Sequence, residues 1–358
     1  MSQLSSTGLA RRSLLTAATA GVGGLLAGGV ASTASAAPEV GKVLARDLRV
    51  PWGVAFLPNG NALVGERVTG DVHLVKRTGG RRRVGHVPGV VDNGEGGLLG
   101  LAVAPTFRDD RWVYAYLTTA NDNRVVRMRY VDGQFGPQRV VRAGIPVADG
   151  GRHSGGRLAF GPDGLLYAST GDTGQGSLAQ NKSSLAGKVL RMTPTGEVPG
   201  GNPFGNHVWS YGHRNVEGLA FDGRGRLWAT EFGESTRDEL NRIAKGHNYG
   251  WPDVEGGDGD GGFHDPFVTW SPTSTCSPSG VAVAQGRAWV GALRGQCIYS
   301  VRLTGPNARR KAKWFTGDFG RIRTVQKAPD GSLWITTSNR DGRGTPGARD
   351  DRVIRIRL

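Results

Sequence analysis

The chain has little sulfur and few carboxylates. Two cysteines, Cys276 and Cys297, occur in 358 residues. That number excludes a disulfide-rich scaffold, and neither cysteine has zinc-ligand spacing. They lie near the ends of one expected hairpin, so a single disulfide is geometrically reasonable; two buried free thiols are the other reading. The D-x-D-x-D-G spacing is missing, which excludes an EF-hand. Beyond residue 36 no apolar run is long enough to span a bilayer. Asp and Glu number 30 against 45 Lys and Arg, a net charge of +15. An excess of that size raises nucleic acid as a partner. The cations are scattered, however, and the only dense run, "KRTGGRRR" at residues 76–83, reads as a hairpin loop. The expectation is a solvated basic face, with an anionic ligand or the cell wall left open and no nucleic acid.

Residues 1–36 read as an export signal. Arg11 and Arg12 precede an uncharged apolar stretch, and Ala34-Ser35-Ala36 supplies a small-x-small cleavage site. Adjacent arginines point to the twin-arginine route, a receptor-read address and not an anchor. The expected product is residues 37–358, without a membrane span, located outside the cell, in the periplasm or at the cell wall.

Glycine is abundant at 59 residues, without a collagen period. It punctuates short apolar runs, as tight turns between strands require. Six such runs can be aligned, starting at Gly53, Gly100, Arg157, Gly218, Gly280 and Arg323. Each is a strand, a Gly- or Pro-bearing turn, and a second strand with an aromatic or aliphatic centre. Self-similarity at this period predicts an all-β, six-bladed β-propeller as one domain over 37–358. Residues 39–48 could supply the last blade's fourth strand and close the ring.

That architecture predicts where chemistry collects. Residues just before each first strand and just after each second strand should ring one mouth of the central channel. The first set is Trp52, Glu95, His153, His213, Arg214, Asn215, Ser277 and Arg321, with Arg323 opening its strand. The second is Asp172, Thr173, residues 231–239, Arg294 and Asn339. One histidine, several arginines, carboxylates and amides on one cavity make a ligand site. Arg214, Arg294, Arg321 and Arg323 call for an anion with several charged groups; the alternative is local pairing with Glu95, Glu217 or Asp341. His153 suits general-base work at such a mouth. The acidic stretch 231–260 is rich in the oxygen donors that calcium takes, or is a solvated loop.

Seven stretches in order carry a resemblance: "PWGVAFLPNG", "EGGLLGLAVAP", "GRHSGGRLAFGPDG", "AQNKSSLAGKVLRM", "YGHRNVEGLAF", "DELNRIAKGHNYGWP" and "GRIRTVQKAPDGSLW". The chain resembles the soluble quinoprotein glucose/sorbosone dehydrogenases, and in particular their soluble aldose sugar dehydrogenase branch. The resemblance implies pyrroloquinoline quinone (PQQ) and calcium as cofactors, an aldose as substrate, and an external electron acceptor. It implies His153 as the base that takes the sugar hydroxyl proton and Arg214 as the residue facing the developing oxyanion. By the same resemblance Glu95, Thr173, Asn215, Arg294, Arg321 and Arg323 contact the quinone. The carbonyls of Gly233 and Glu234 would hold a catalytic calcium, and Glu239 with the Tyr249 carbonyl a structural one. The glucose-specific branch has an acidic residue where this chain has Arg152, which implies a broad aldose range or a sugar other than glucose. Two other classes compete: a calcium-dependent lactonase on a similar propeller, and a non-catalytic sugar- or peptide-binding propeller. Arginines in place of clustered carboxylates at the mouth disfavour the lactonase.

Overall fold

The computed structural model describes residues 37–257 and 262–358, so the expected export signal lies outside the described residues. Six antiparallel sheets follow one another along the chain. Their innermost strands are Pro51–Phe56, Leu98–Val103, Leu158–Phe160, Val216–Phe221, Pro278–Ala284 and Ile322–Lys327, defining blades 1 to 6. The six aligned runs of the sequence each start in or next to one of these strands. Hairpin connections carry each blade outward to a fourth strand; blade 2 adds a short extra one, Gln134–Phe135. In blade 6 the fourth strand comes from the other end of the chain: Glu39–Ala45 pairs antiparallel with Val353–Arg357. Both ends of the propeller chain thus share one blade, which closes the ring.

The second strand of five blades carries a large buried aromatic at Tyr114, Tyr167, Trp228, Trp289 or Trp334, and blade 2 adds Tyr116. Each fills the gap between adjacent sheets, where large rings contribute most burial per residue. Trp334 meets Phe56 of blade 1 edge to face at 4.9 Å, which helps tie the last blade to the first. In Val353–Arg357 the buried residues are Val353, Ile354 and Ile356, the alternation expected of a half-covered strand.

The cysteines follow the second of the two readings. Both are free thiols, and both are buried. Cys276 precedes blade 5 and Cys297 opens its third strand; each packs into the apolar cluster around Trp270, Val281 and Tyr299. Burial pushes both thiols upward, so they behave as small core residues and not as nucleophiles.

Candidate active site

Backbone pairing between blades 3 and 4 assembles the mouth. Gly171 bridges Asn215, and the Asp172 N–H donates to the Arg214 carbonyl at 2.8 Å. The Asn215 side-chain oxygen accepts the Gly155 N–H at 3.0 Å, which draws in the loop that carries His153. Glycine is required here for a reason the sequence did not suggest. A Cβ on Gly151 would sit 1.6 Å from the Asn93 carbonyl oxygen, and one on Gly171 would sit 1.9 Å from that of His153. The glycines let neighbouring backbones touch each other. His153 and Thr173 both have left-handed backbones, φ 52° and 59°. Such conformations are costly for side-chain-bearing residues, most of all for β-branched threonine, and cluster where geometry is imposed for function.

His153 is buried and held at three points. Its N–H donates to Glu95 Oε2 at 2.9 Å, its Nδ1 lies 2.6 Å from Asp172 Oδ1, and its Nε2 lies 3.2 Å from Arg152 Nε. Burial alone would raise the Asp172 carboxyl. Bonds from His153, Gly174 and Trp251 outweigh it and hold the group below its ordinary value. Asp172 is therefore an ionised acceptor, and Nδ1 carries the hydrogen. Arg152 can only donate, so Nε2 presents its lone pair. Both partners select the same tautomer, with the basic nitrogen facing the mouth.

The four arginines divide. Arg321 donates from Nε and Nη2 to Asp341 Oδ2, at 3.0 Å each. Arg323 bonds Glu217 at 2.5 Å and reaches Asp341 at 3.4 Å. For these two, local pairing with carboxylates holds. Arg214 is different: its guanidinium touches the Phe232 carbonyl at 3.3 Å, lies over the Trp251 ring at 5.3 Å, and has no carboxylate within salt-bridge distance among the described residues. Burial lowers its affinity for the proton. Arg294 is exposed on the mouth side of blade 5. Below this layer Arg157 lies 3.9 Å over the Trp52 ring and donates to the Glu217 carbonyl, so the channel is floored directly beneath the mouth. Burial pulls Arg157 down to about 9. The opposite end of the channel holds a cavity of about 650 Å³ lined by the far ends of the inner strands, away from His153.

Buried polar atoms without a partner collect at the same place. Thr173 Oγ1, Asn215 Nδ2, Arg214 Nε and Arg323 Nε are all orphaned. All four belong to residues expected to contact the quinone. Leaving a buried donor unmade costs roughly 1–3 kcal/mol, so several at one mouth fit a polar ligand that satisfies them. The donor set, four N–H or O–H groups and a free guanidinium, suits a ligand rich in carboxylate and carbonyl oxygens.

The acidic loop is built around Glu255, whose Oε1 accepts four successive N–H groups from Glu234, Ser235, Thr236 and Arg237 at 2.7–3.1 Å. A Cβ on Gly233 would come within 2.3 Å of that oxygen, so glycine is needed there. Glu234 itself is exposed. Glu239 faces Glu231 across the strand pair, and both are buried. Burial, then the Glu231 charge, pushes Glu239 well above the usual carboxylate range. Beside them Asn241 Oδ1 has no donor. Tyr249 packs alongside, stacked on His213 at 4.6 Å. This oxygen-rich pocket short of positive charge fits a hard cation. Among the described residues no three His, Cys, Asp or Glu side chains form a metal cluster, so backbone and amide oxygens would have to complete the ligand set.

Comparison with known proteins agrees with this geometry. Residues 48–346 match the family described as Glucose / Sorbosone dehydrogenase. The chain belongs to that family. It is 48% identical to a PQQ-bound aldose sugar dehydrogenase from Streptomyces coelicolor, with a TM-score of 0.86 over 89% of this chain and 97% of the other. It is 29% identical to the aldose sugar dehydrogenase YliI of Escherichia coli, covering 84% of this chain and 90% of that one. It is 32% identical to quinoprotein glucose dehydrogenase B of Acinetobacter calcoaceticus, covering 68% of this chain and 59% of that one.

Within this family member, three mouth residues carry more than the sequence revealed. Arg67 is buried, donates to the Gly94 and Gly96 carbonyls, and leaves Nε orphaned; it directly follows the second strand of blade 1, Ala62–Glu66. The position rule applied to "ALVGER" would have found it. Trp251 donates to Asp172 Oδ2 at 2.7 Å, a contact from a loop with no fixed place in the repeat. Glu95 is turned away from ligand duty, bonded to the His153 N–H and to Arg343 at 2.9 Å. His213, Ser277 and Asn339 stand at the mouth as scaffold: His213 bonds Glu231, the Ser277 N–H donates to Asp238, and Asn339 accepts the Arg321 N–H.

Proposed function

We propose that this family member is an exported, PQQ- and calcium-dependent aldose dehydrogenase that oxidises the sugar C1 hydroxyl to a lactone. The observation that carries this reading is the His153 tautomer: a buried imidazole with Nδ1–H on Asp172 and a basic Nε2 that meets only the exposed Arg152, in a mouth that also holds unsatisfied donors. When bound, PQQ supplies a hydride-accepting carbonyl and carboxylates. Thr173, Arg214, Asn215 and Arg323 would hold it through their orphaned groups, and Arg67 by the same argument. His153 Nε2 takes the hydroxyl proton, and Asp172 stabilises the imidazolium that results. Arg214 places an unneutralised guanidinium where negative charge develops. The Gly233 and Glu234 carbonyls would hold a catalytic calcium, and Glu239 with the Tyr249 carbonyl a structural one. Electrons then leave to an external acceptor.

The test is reconstitution. Purified protein receives PQQ and calcium, then an aldose and an electron-accepting dye. Dye reduction should require both additions and collapse in His153→Ala while quinone binding, followed by the visible spectrum, persists. Absence of quinone binding by the intact protein would overturn the reading, and lactone hydrolysis with calcium alone would favour a lactonase.

A further inference from the structure

Blade 5 has a property no other blade shares. From residue 266 to residue 317 the chain contains no Asp or Glu, although the whole chain carries 30. The same stretch contains seven cations. One, Arg294, belongs to the mouth. The other six are Arg287, Arg302, Arg309, Arg310, Lys311 and Lys313.

The fold gathers those six around the outer part of blade 5, with Arg287 and Arg302 on one face of the sheet and Lys311 and Lys313, paired with Val301 and Tyr299, on the other. Arg287 opens the second strand, Arg287–Ala292, and Arg302 ends the third, Cys297–Arg302; the two pair directly across the ladder. Like charges in that relation destabilise a sheet. The loop 303–310 then brings Arg310 to the same corner, with its carbonyl accepting the Arg302 N–H at 3.0 Å and the Leu303 N–H donating to the Gly286 carbonyl at 3.0 Å. Burial and the charges of Arg302 and Arg310 depress Arg287, with no carboxylate offsetting them. The outer strand Lys311–Trp314 pairs only with the third strand, so its other edge is open. Along it Arg309, Lys311 and Lys313 lie over Phe267, Trp270 and Tyr299 at 5.3–5.5 Å. These rings stiffen the cation stems and keep their heads at the surface. Among the described residues none of the six is within salt-bridge distance of a carboxylate, whereas cations elsewhere repeatedly are.

The corner formed by the 285–287 turn and the 303–310 loop lies at the far face of the disc, because each first strand runs from the mouth to that face. A partner seated there leaves the mouth open.

We propose that this edge of blade 5 docks a non-nucleotide phosphodiester polymer of the cell envelope. Guanidinium forks match phosphate oxygens. Cations two residues apart on a strand are spaced about 7 Å apart, as charges repeating along a flexible chain require. A bilayer is disfavoured because no large apolar side chain is exposed on blade 5: among the described residues those exposed are Val40, Val91, Val131, Val140 and Val198. Nucleic acid is disfavoured because the aromatics lie beneath the cations and offer no face for base stacking. The proposal shares with the enzymatic reading only the expectation of export, and its test does not use activity.

The probe is immobilised poly(glycerol phosphate), with phosphatidylglycerol vesicles, poly-glutamate and duplex DNA as separate arms. Purified protein should bind the polymer, with affinity falling steeply as salt rises. A variant carrying Arg302→Gln, Arg309→Gln, Arg310→Gln and Lys313→Gln should bind more than tenfold more weakly. Its log–log salt slope should be shallower by about 3, at about 0.7 for each phosphate no longer neutralised. A control with Lys76→Gln, Arg82→Gln, Arg108→Gln and Arg139→Gln loses the same charge from exposed positions on blades 1 and 2 and should bind as wild type. Arg310→Glu alone, a change on an exposed loop, serves if the fourfold variant does not fold. Equal loss in the control, no retention at low salt, or tighter binding to vesicles, poly-glutamate or DNA would overturn the proposal.

Discussion

Replacing Asp172 by asparagine isolates what a charge beneath His153 contributes. Asp172 accepts three bonds: from His153 Nδ1 at 2.6 Å, the Gly174 N–H at 2.7 Å and Trp251 Nε1 at 2.7 Å. The first two fall on Oδ1 and the third on Oδ2. An asparagine oxygen can take the Oδ1 place and keep both the tautomer and the ring orientation. Its amide nitrogen then faces the Trp251 N–H, donor against donor, which costs about 1–3 kcal/mol of stability. The chemical step loses more. A unit charge about 4 Å from the imidazolium is worth about 4 kcal/mol at an effective dielectric constant near 20, so the rate constant should fall by about three orders of magnitude. The expected result is kcat reduced about 10³-fold with quinone affinity unchanged within a few-fold, read by dye reduction and by spectral titration. Retention of more than half the activity by a variant that still binds quinone would refute the assignment of Nε2 as base with Asp172 behind it.

Asp341 gives a pH-dependent counterpart. Burial would raise its pKa, but the Arg323 and Arg321 charges hold it below 3.8. Its stabilising contribution is therefore present above that value and is lost as pH falls through the depressed one. Asp341→Asn should be less stable than wild type at pH 7 by about 3 kcal/mol, with the gap narrowing in urea titrations as pH falls through the depressed value. Leu44, which is 2% exposed in the closing strand, should cost about 2–5 kcal/mol as Leu44→Ala, seen as a lower urea midpoint with an unchanged slope. Thiol reagents should leave the native protein unlabelled and modify both cysteines once it is unfolded. Arg152→Gln should leave quinone affinity unchanged and lower the kcat/KM ratio of an acidic to a neutral sugar about fivefold; an unchanged ratio would place Arg152 outside the sugar site.

The propeller was readable because the same local solution recurs. A strand, a glycine turn and a second strand with a central aromatic satisfy local backbone needs and interblade packing together, so the pattern survives in sequence. His153 and Arg214 were readable for a related reason: their place in the repeat dictates which face of the disc they reach. The partners of those residues were not readable in the same way. Whether Arg323 meets a ligand or Glu217 depends on residues 106 apart. Whether Glu95 points at a cofactor or at the His153 backbone depends on how closely two loops approach. The cysteines show the limit plainly. Two positions flanking one hairpin are compatible with a bond or with two thiols, and residue type and spacing do not distinguish these; in the structure both are free and buried in the cluster around Trp270.

The division among the arginines sharpens how such a mouth works. Had all four guanidiniums awaited a ligand, the ligand-free site would hold several unneutralised buried charges, and the fold would bear their desolvation. Instead Asp341 and Glu217 neutralise Arg321 and Arg323 internally, and these four residues form a rigid platform. Only Arg214 inside, with Arg152 and Arg294 exposed at the rim, keeps charge for an incoming group. Recognition then rests on the Arg214 guanidinium and a set of orphaned donors, Thr173 Oγ1 and Asn215 Nδ2 together with the Nε groups of Arg67 and Arg323, and the lower ion-pair layer sets their positions. The strained backbones of His153 and Thr173 fit the same logic, because the energy that fixes them is supplied by packing between blades and not by the ligand. A site arranged this way has its base, tautomer and oxyanion partner in place before anything binds, which is the condition for electrostatic stabilisation without reorganisation during the reaction.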